Sequence, residues 1–176
     1  MHADIKVHVK RVFLCKNGSV IFIGDEAKTF PLYSGIPEGA ILQHVLAKKP
    51  TERPLAHTAW LMSLERCGHP PTRAMITKII KGTFYAELAL QIDRDYTGHD
   101  LIVDCRPSDM LIIATLANLP IHVAQDVWDA MENHTNNLGL SDKDLATTWP
   151  FSNFVNPPTI YVGVTPEEVE VMEAQN

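Results

Sequence analysis

The apolar residues of this chain change period about a fifth of the way along. Ile5, Val7 and Val9 alternate with polar neighbours and residues 12–14 extend the run, as in a half-buried strand. Lys16-Asn17-Gly18 is a turn signal. Residues 20–23 and 29–33 then flank Gly24-Asp25-Glu26, so the N-terminal part predicts an antiparallel meander of three strands. From Pro37 the spacing becomes helical: Ala40, Ile41, His44, Val45 and Leu46 recur until Lys48-Lys49-Pro50 stops them. A second helix is predicted over residues 55–66, closed by Cys67-Gly68 with Pro70-Pro71 beyond.

The next segments are strand-like again. Residues 73–80 and 83–92 are separated by Lys81-Gly82, a hairpin signal, and a turn over residues 96–100 leads to a further strand at 101–105. Residues 108–117 are apolar nearly all round, the mark of a helix buried on most of its surface, with Asn118 as a left-handed stop. A short strand at 120–123 and a helix at 126–133 complete the periodic part. Beyond Asn136 the pattern dissolves. Trp149, Phe151 and Phe154 are too many aromatics for a solvated linker, so part of this arm is expected to lie on the domain or on a partner subunit, and Thr165-Pro166-Glu167-Glu168 has the form of a helix start.

These elements divide the chain into one domain over residues 1–136 and an acidic, aromatic-containing C-terminal arm over 137–176. The predicted class is α+β, a mixed and largely antiparallel sheet packed with helices. With 45% hydrophobic residues the chain can bury a core, and it has no apolar run long enough to span a membrane and no signal-peptide core near Met1. A cytoplasmic protein without membrane attachment is expected. Cys15, Cys67 and Cys105 are odd in number and widely spaced, which predicts free, mostly buried thiols. The net charge of −6 is concentrated in the arm: residues 139–176 carry −5, leaving −1 for the first 138. The body is therefore close to neutral, and nucleic-acid contact is neither advertised nor excluded by charge.

One stretch concentrates chemistry. Asp104-Cys105-Arg106-Pro107-Ser108-Asp109 sets an arginine, two carboxylates and a hydroxyl between a strand and a buried helix, where rigid supports can hold a site. Three stretches then carry a resemblance: Arg53-Pro54-Leu55 with His57; Lys81-Gly82-Thr83-Phe84-Tyr85-Ala86; and Arg106-Pro107-Ser108-Asp109 with Pro120-Ile121 after the helix. Over residues 5–127, with Pro31 and Gly35 also recognisable, the chain resembles the bifunctional nuclease domain found in many bacteria and in plants. That resemblance implies an α+β domain that forms a homodimer and cleaves phosphodiester bonds of DNA and RNA. The chain departs from the family pattern at Thr58, where aspartate is common, and at Leu116, where arginine is common. Each departure removes a group able to hold phosphate or metal.

The activity implied needs a cation for the developing charge, a base or oriented water and, commonly, a metal. Arg53 and Arg106 are candidate phosphate forks, Ser108 a substrate contact, His57 a proton carrier and Asp109 a further catalytic residue. Asp104 and Asp109 are candidate ligands for Mg²⁺ or Mn²⁺. Each has a plain structural alternative: Ser108 or Asp109 as helix caps, Arg106 paired with Asp104 or Asp109, His57 as a satisfied structural histidine, Arg53 as a loop anchor. Phe84 and Tyr85 could stack on bases, but adjacent strand positions face opposite ways, so one of them is expected in the core. Glu26-Ala27-Lys28 has a Glu-x-Lys form used by some nucleases, but in a turn. The competing reading is a non-catalytic dimeric module that binds a small anionic ligand or a protein partner.

Overall fold

The computed structural model describes residues 4–15, 18–92 and 100–139. Its strands are β1 (Ile5–Cys15), β2 (Gly18–Gly24), β3 (Thr29–Ser34), β4 (Pro71–Ile80), β5 (Thr83–Leu90), β6 (Leu101–Cys105) and β7 (Ile121–Val123). They form a sheet in the order β3-β2-β1-β7-β4-β5-β6, antiparallel at every junction but β4–β7. The predicted α+β class and the N-terminal meander are both found.

β1 serves two partners. Residues 5–7 pair with β7, and residues 8–15 pair with β2 across a bulge between Val9 and Arg11. A bulge bends a strand and increases its twist. The sheet curls, and strands near its two edges meet: Phe30 of β3 stacks on Phe84 of β5 with ring centroids 6.1 Å apart.

The helices are α1 (Ile36–Leu46), α2 (Ala56–Arg66), α3 (Pro107–Leu116) and α4 (Gln125–Ala130). α3 joins β6 to β7, crossing β5 and β4 and packing on both. It also contacts α1 and α2, so Met110 to Ala114 are all fully buried, which is why this helix is apolar all round. α1 lies on β1 and β2, with Gly39 so close to Ser19 that a Cβ there would collide with the serine side chain. Ser19 Oγ donates to Gly35 O at 2.9 Å, pinning the start of the helix. Asn118 stops α3 at φ 54°, the left-handed conformation its position predicts.

Three expectations change. The helix predicted over 126–133 is only Gln125–Ala130, because Asn133 leaves it to tie two segments together: its amide donates to Ala27 O, and its Oδ1 accepts from Thr29 N and Thr135. The strand predicted to 92 ends at Leu90. Of the three free thiols, Cys67 is exposed, since it sits just past the end of α2, and the other two are half-buried. Lys28 points to Trp128, donating to its carbonyl and lying 5.1 Å from its ring centre, while Glu26 pairs with Lys10, so the Glu-x-Lys form serves structure.

Residues 135–139 form a 3₁₀ turn that lays Leu138 on Phe13, Val20 and Phe22, with Leu138 O accepting from Arg11. The rest of the predicted arm, with the helix start at Thr165, lies outside the described residues, as do the turn at Lys16-Asn17 and most of the one at 96–100. No helix among the described residues is long and apolar enough to cross a membrane.

Candidate functional site

β3 and β6 are the outer strands of the sheet, and each feeds directly into a helix. Gly35 is the N-cap of α1 and Arg106 the N-cap of α3; both are extended, and neither start has a side-chain capping bond among the described residues. Both helices carry proline in the first turn, Pro37 and Pro107, and an acid at the third position, Glu38 and Asp109. Curling of the sheet brings the two starts together. They open on one cleft of about 620 Å³, lined among others by Tyr33, Ser34, Gly35, Phe84, Asp104, Arg106 and Ser108. First-turn amides have no partner within a helix, and they sit at the positive end of its dipole, so two such ends facing one cleft favour an anion there.

Arg106 joins the two helix starts. Its Nε donates to Asp109 Oδ2 at 2.7 Å, while its Nη2 donates to Glu38 Oε1 at 2.9 Å and, at 3.3 Å, to Asp109 Oδ1. Its Nη1 has no protein partner among the described residues, and the side chain is 67% exposed. Hydrogen bonding to Asp109 holds the guanidinium above its ordinary pKa. His57, at the second position of α2, completes the network through Nε2, 2.9 Å from Asp109 Oδ1. Burial pushes the Asp109 carboxyl up, but the hydrogen bonds from Arg106 and His57 outweigh it and hold the group below its ordinary value.

The other candidates are placed as follows. Ser108 is 7% exposed, lines the cleft and has no side-chain hydrogen bond among the described residues. Neither it nor Asp109 caps α3. Asp104 is exposed at the lip of the cleft, opposite Glu87 in register, and makes no ion pair among the described residues. Between them Cys105 is half-buried, and burial, with Asp109, Asp104 and Glu87 nearby, pushes its thiol up to about 12, far from a reactive thiolate. Arg53 lies exposed in the loop before α2, without a side-chain partner among the described residues and away from the cleft lining. His57 turns inward: Nε2 meets Asp109, and Nδ1 is buried with no partner among the described residues. Phe84 and Tyr85 both line the cleft, near the end of β5 that pairs with β4 beyond its bulge between Ile76 and Lys78.

A divalent ion finds a poor donor set here. Both oxygens of Asp109 accept from Arg106 or His57, which leaves Asp104 alone of the two proposed ligands. No group of three or more His, Cys, Asp or Glu able to hold a metal is present among the described residues. Sequence reasoning missed Glu38 and Ser34; the buried Ser34 Oγ has no partner among the described residues, and Ser34 lines the cleft. The signal for Glu38 was available, since Pro37-Glu38 repeats the proline-then-acid opening of α3.

No curated protein matches the chain. The family profile described as bifunctional nuclease domain matches residues 20–136, a span that includes every residue lining the cleft, and the chain belongs to that family.

Proposed function

We propose that the protein is a nuclease that hydrolyses phosphodiester bonds of DNA or RNA in the cleft between the starts of α1 and α3. The observation that carries this reading is the convergence of two helix N-termini without side-chain caps on one cleft, bridged by an arginine that still has a free amino group. A phosphate entering the cleft meets first-turn amides, Arg106 Nη1 and the unpartnered hydroxyls of Ser34 and Ser108. These donors strengthen as charge grows on the phosphoryl oxygens, which is how such a site lowers a barrier. Asp104, the open carboxylate at the lip, would order the attacking water. Asp109 and Glu38 hold the guanidinium in place, and His57 in turn fixes Asp109. His57 is thus a positioning residue, because neither ring nitrogen is offered to the cleft. With Asp109 engaged as it is, no step is assigned to a metal ion.

The reading includes a cytoplasmic homodimer. β6 is an outer strand that leaves Leu101 and Ile102 about half exposed, which supports a second copy along that edge. Sedimentation of the purified protein checks it.

The test is cleavage of single-stranded DNA, duplex DNA and RNA by the purified chain in Mg²⁺, Mn²⁺ or EDTA, beside Arg106→Ala with an unchanged circular dichroism spectrum. Cleavage by the native protein and its loss in the variant is the expected result. Equal cleavage by both sinks the assignment. The enclosed His57, and Asp104 as the one open carboxylate lining the cleft among the described residues, favour a second reading, a non-catalytic module that binds an anionic ligand in the same cleft. Oligonucleotide or phosphate binding without cleavage, weakened in the variant, would select it.

A further inference from the structure

Behind the cleft lies a second hollow of about 260 Å³ that shares two of its walls. Tyr33 and Phe84 line both, and Pro31, Ile79 and Met131 complete the smaller one, with Glu132 and His134 at its polar edge. Its character is the opposite of the cleft's. The cleft gathers hydrogen-bond donors and charge, whereas the hollow is mostly aliphatic and aromatic, and no lysine or arginine among the described residues lines it.

The shared wall is firmly built. Phe84 stacks on Phe30 with ring planes 15° apart, and Trp128 sets its edge against Phe30 at 5.9 Å. Each ring holds the next, so Phe84 is presented at little further cost in conformational freedom. Tyr33, 47% exposed, stands beside it on the outer strand. An anion seat and an apolar aromatic recess, joined through two rings, match the two ends of a nucleotide: the phosphate takes the donors, and the uncharged flat base takes the rings. The hollow has room for one such ring system. A base still paired and stacked in a duplex cannot enter it, because its faces are covered by its neighbours.

We propose that this hollow is a nucleobase subsite, so that the unit recognised is a nucleotide whose base is unstacked, in a single-stranded DNA or RNA. This rests on the reading of the cleft as a phosphodiester site.

The experiment measures binding of the full chain to a dye-labelled single-stranded trithymidylate whose phosphorothioate linkages resist hydrolysis, and to the same trimer with abasic residues. Stacking a base on an aromatic ring contributes roughly 1–3 kcal/mol, so the intact trimer should bind about ten-fold tighter or more. Phe84→Leu keeps the apolar bulk and removes the aromatic face, and Tyr33→Ala alters the exposed side of the wall; either folded variant should bring the intact trimer towards the abasic one. Arg106→Ala should weaken both trimers alike. Equal affinity of the native protein for the two trimers overturns the subsite, and so does a preference that survives both wall variants. If the preference persists and Arg106→Ala changes neither trimer, the phosphate reading falls and the nucleotide subsite with it, leaving a hollow that binds a base alone. Binding of neither trimer overturns both.

Discussion

α1 and α3 lie side by side with a hollow at each end, and the two hollows differ in what they can hold. At the start of the helices the cleft of about 620 Å³ receives amides, Arg106 and two unpartnered serines; at their far ends a hollow of about 580 Å³ is lined by His44, Lys48, Lys49, Thr58, Thr115, Leu116 and Asn118. The far hollow has the more obvious cations. Helix dipoles reverse the expectation from side chains alone, because α1 and α3 present carbonyls there, and Lys48 and Lys49 serve to complement them. The cleft instead combines helix starts with a guanidinium fixed by two carboxylates. Thr58 and Leu116, the departures from the family pattern, both line the far hollow and neither lines the cleft. The polar groups lost at those positions therefore do not strip the proposed phosphate seat.

The largest expected effect breaks this contrast at the cleft. Arg106→Ala removes the bridge between Glu38 and Asp109 and leaves two carboxylates facing the incoming phosphate; loss of one such donor costs about a hundred-fold or more in turnover. Single-turnover cleavage reads it, and the exposure of the side chain predicts a folded variant. Gly39→Ala acts on the support instead. Its new methyl meets Ser19 and Leu14, pushing α1 off β2 and moving Glu38 with it. Overpacking of this kind costs about 1–3 kcal/mol, read as a lower urea midpoint, with weaker phosphate binding alongside. An unchanged midpoint would mean that α1 does not depend on this close approach.

Much of the fold was legible because its signals are local. The change from a period of two to a helical one, the Lys81-Gly82 hairpin and the left-handed Asn118 all lie within a few residues of the feature they specify. Half the cleft was legible for the same reason: Arg106, Ser108 and Asp109 are consecutive or nearly so, and one of the pairings weighed for Arg106, with Asp109, is made. The other half depends on closure of the sheet. Glu38 reaches Arg106, and Ser34 the same cleft, through the curl of the sheet, and His57 meets Asp109 across 52 positions. Nothing in the local pattern of α2 announces that contact; the family resemblance offered His57 as a candidate but named no partner for it. Arg53 shows the reverse limit, since a residue close in sequence to His57 lies away from the cleft lining.

Acid should separate the two ends. Asp109 is held below its ordinary 3.8, so its folded pKa lies under its unfolded one. The stability it contributes is present above the unfolded value and is lost as pH falls through the folded value, in the window at and below 3.8. In Arg106→Ala a lowering partner is gone, the folded pKa rises, and acid unfolding begins at higher pH. Lys49→Ala at the far hollow should leave the acid limb where it is, because no carboxylate pairs with that lysine among the described residues. Circular dichroism followed from pH 5 downward, a span chosen from where linked carboxylates titrate, compares the three proteins. Coincident curves for native protein and Arg106→Ala would remove Asp109 from the acid response.

The smallest effect has the opposite sign. Lys48 ends α1 in the left-handed conformation, φ 51°, with its amide on Val45 O at 3.0 Å. A side chain in that region is strained where glycine is not, and asparagine, at the matching position 118 of α3, tolerates it better. Lys48→Gly relieves the strain and loses a charge that favours the helix end, so a net gain of about 0.5 kcal/mol is expected, visible as a small rise in thermal midpoint. Cleavage should not change, because the far hollow has no part in seating phosphate. A clear fall in activity with the fold intact would show that the lysines at the helix ends contact the substrate as well, and the division of labour between the two hollows would have to be redrawn.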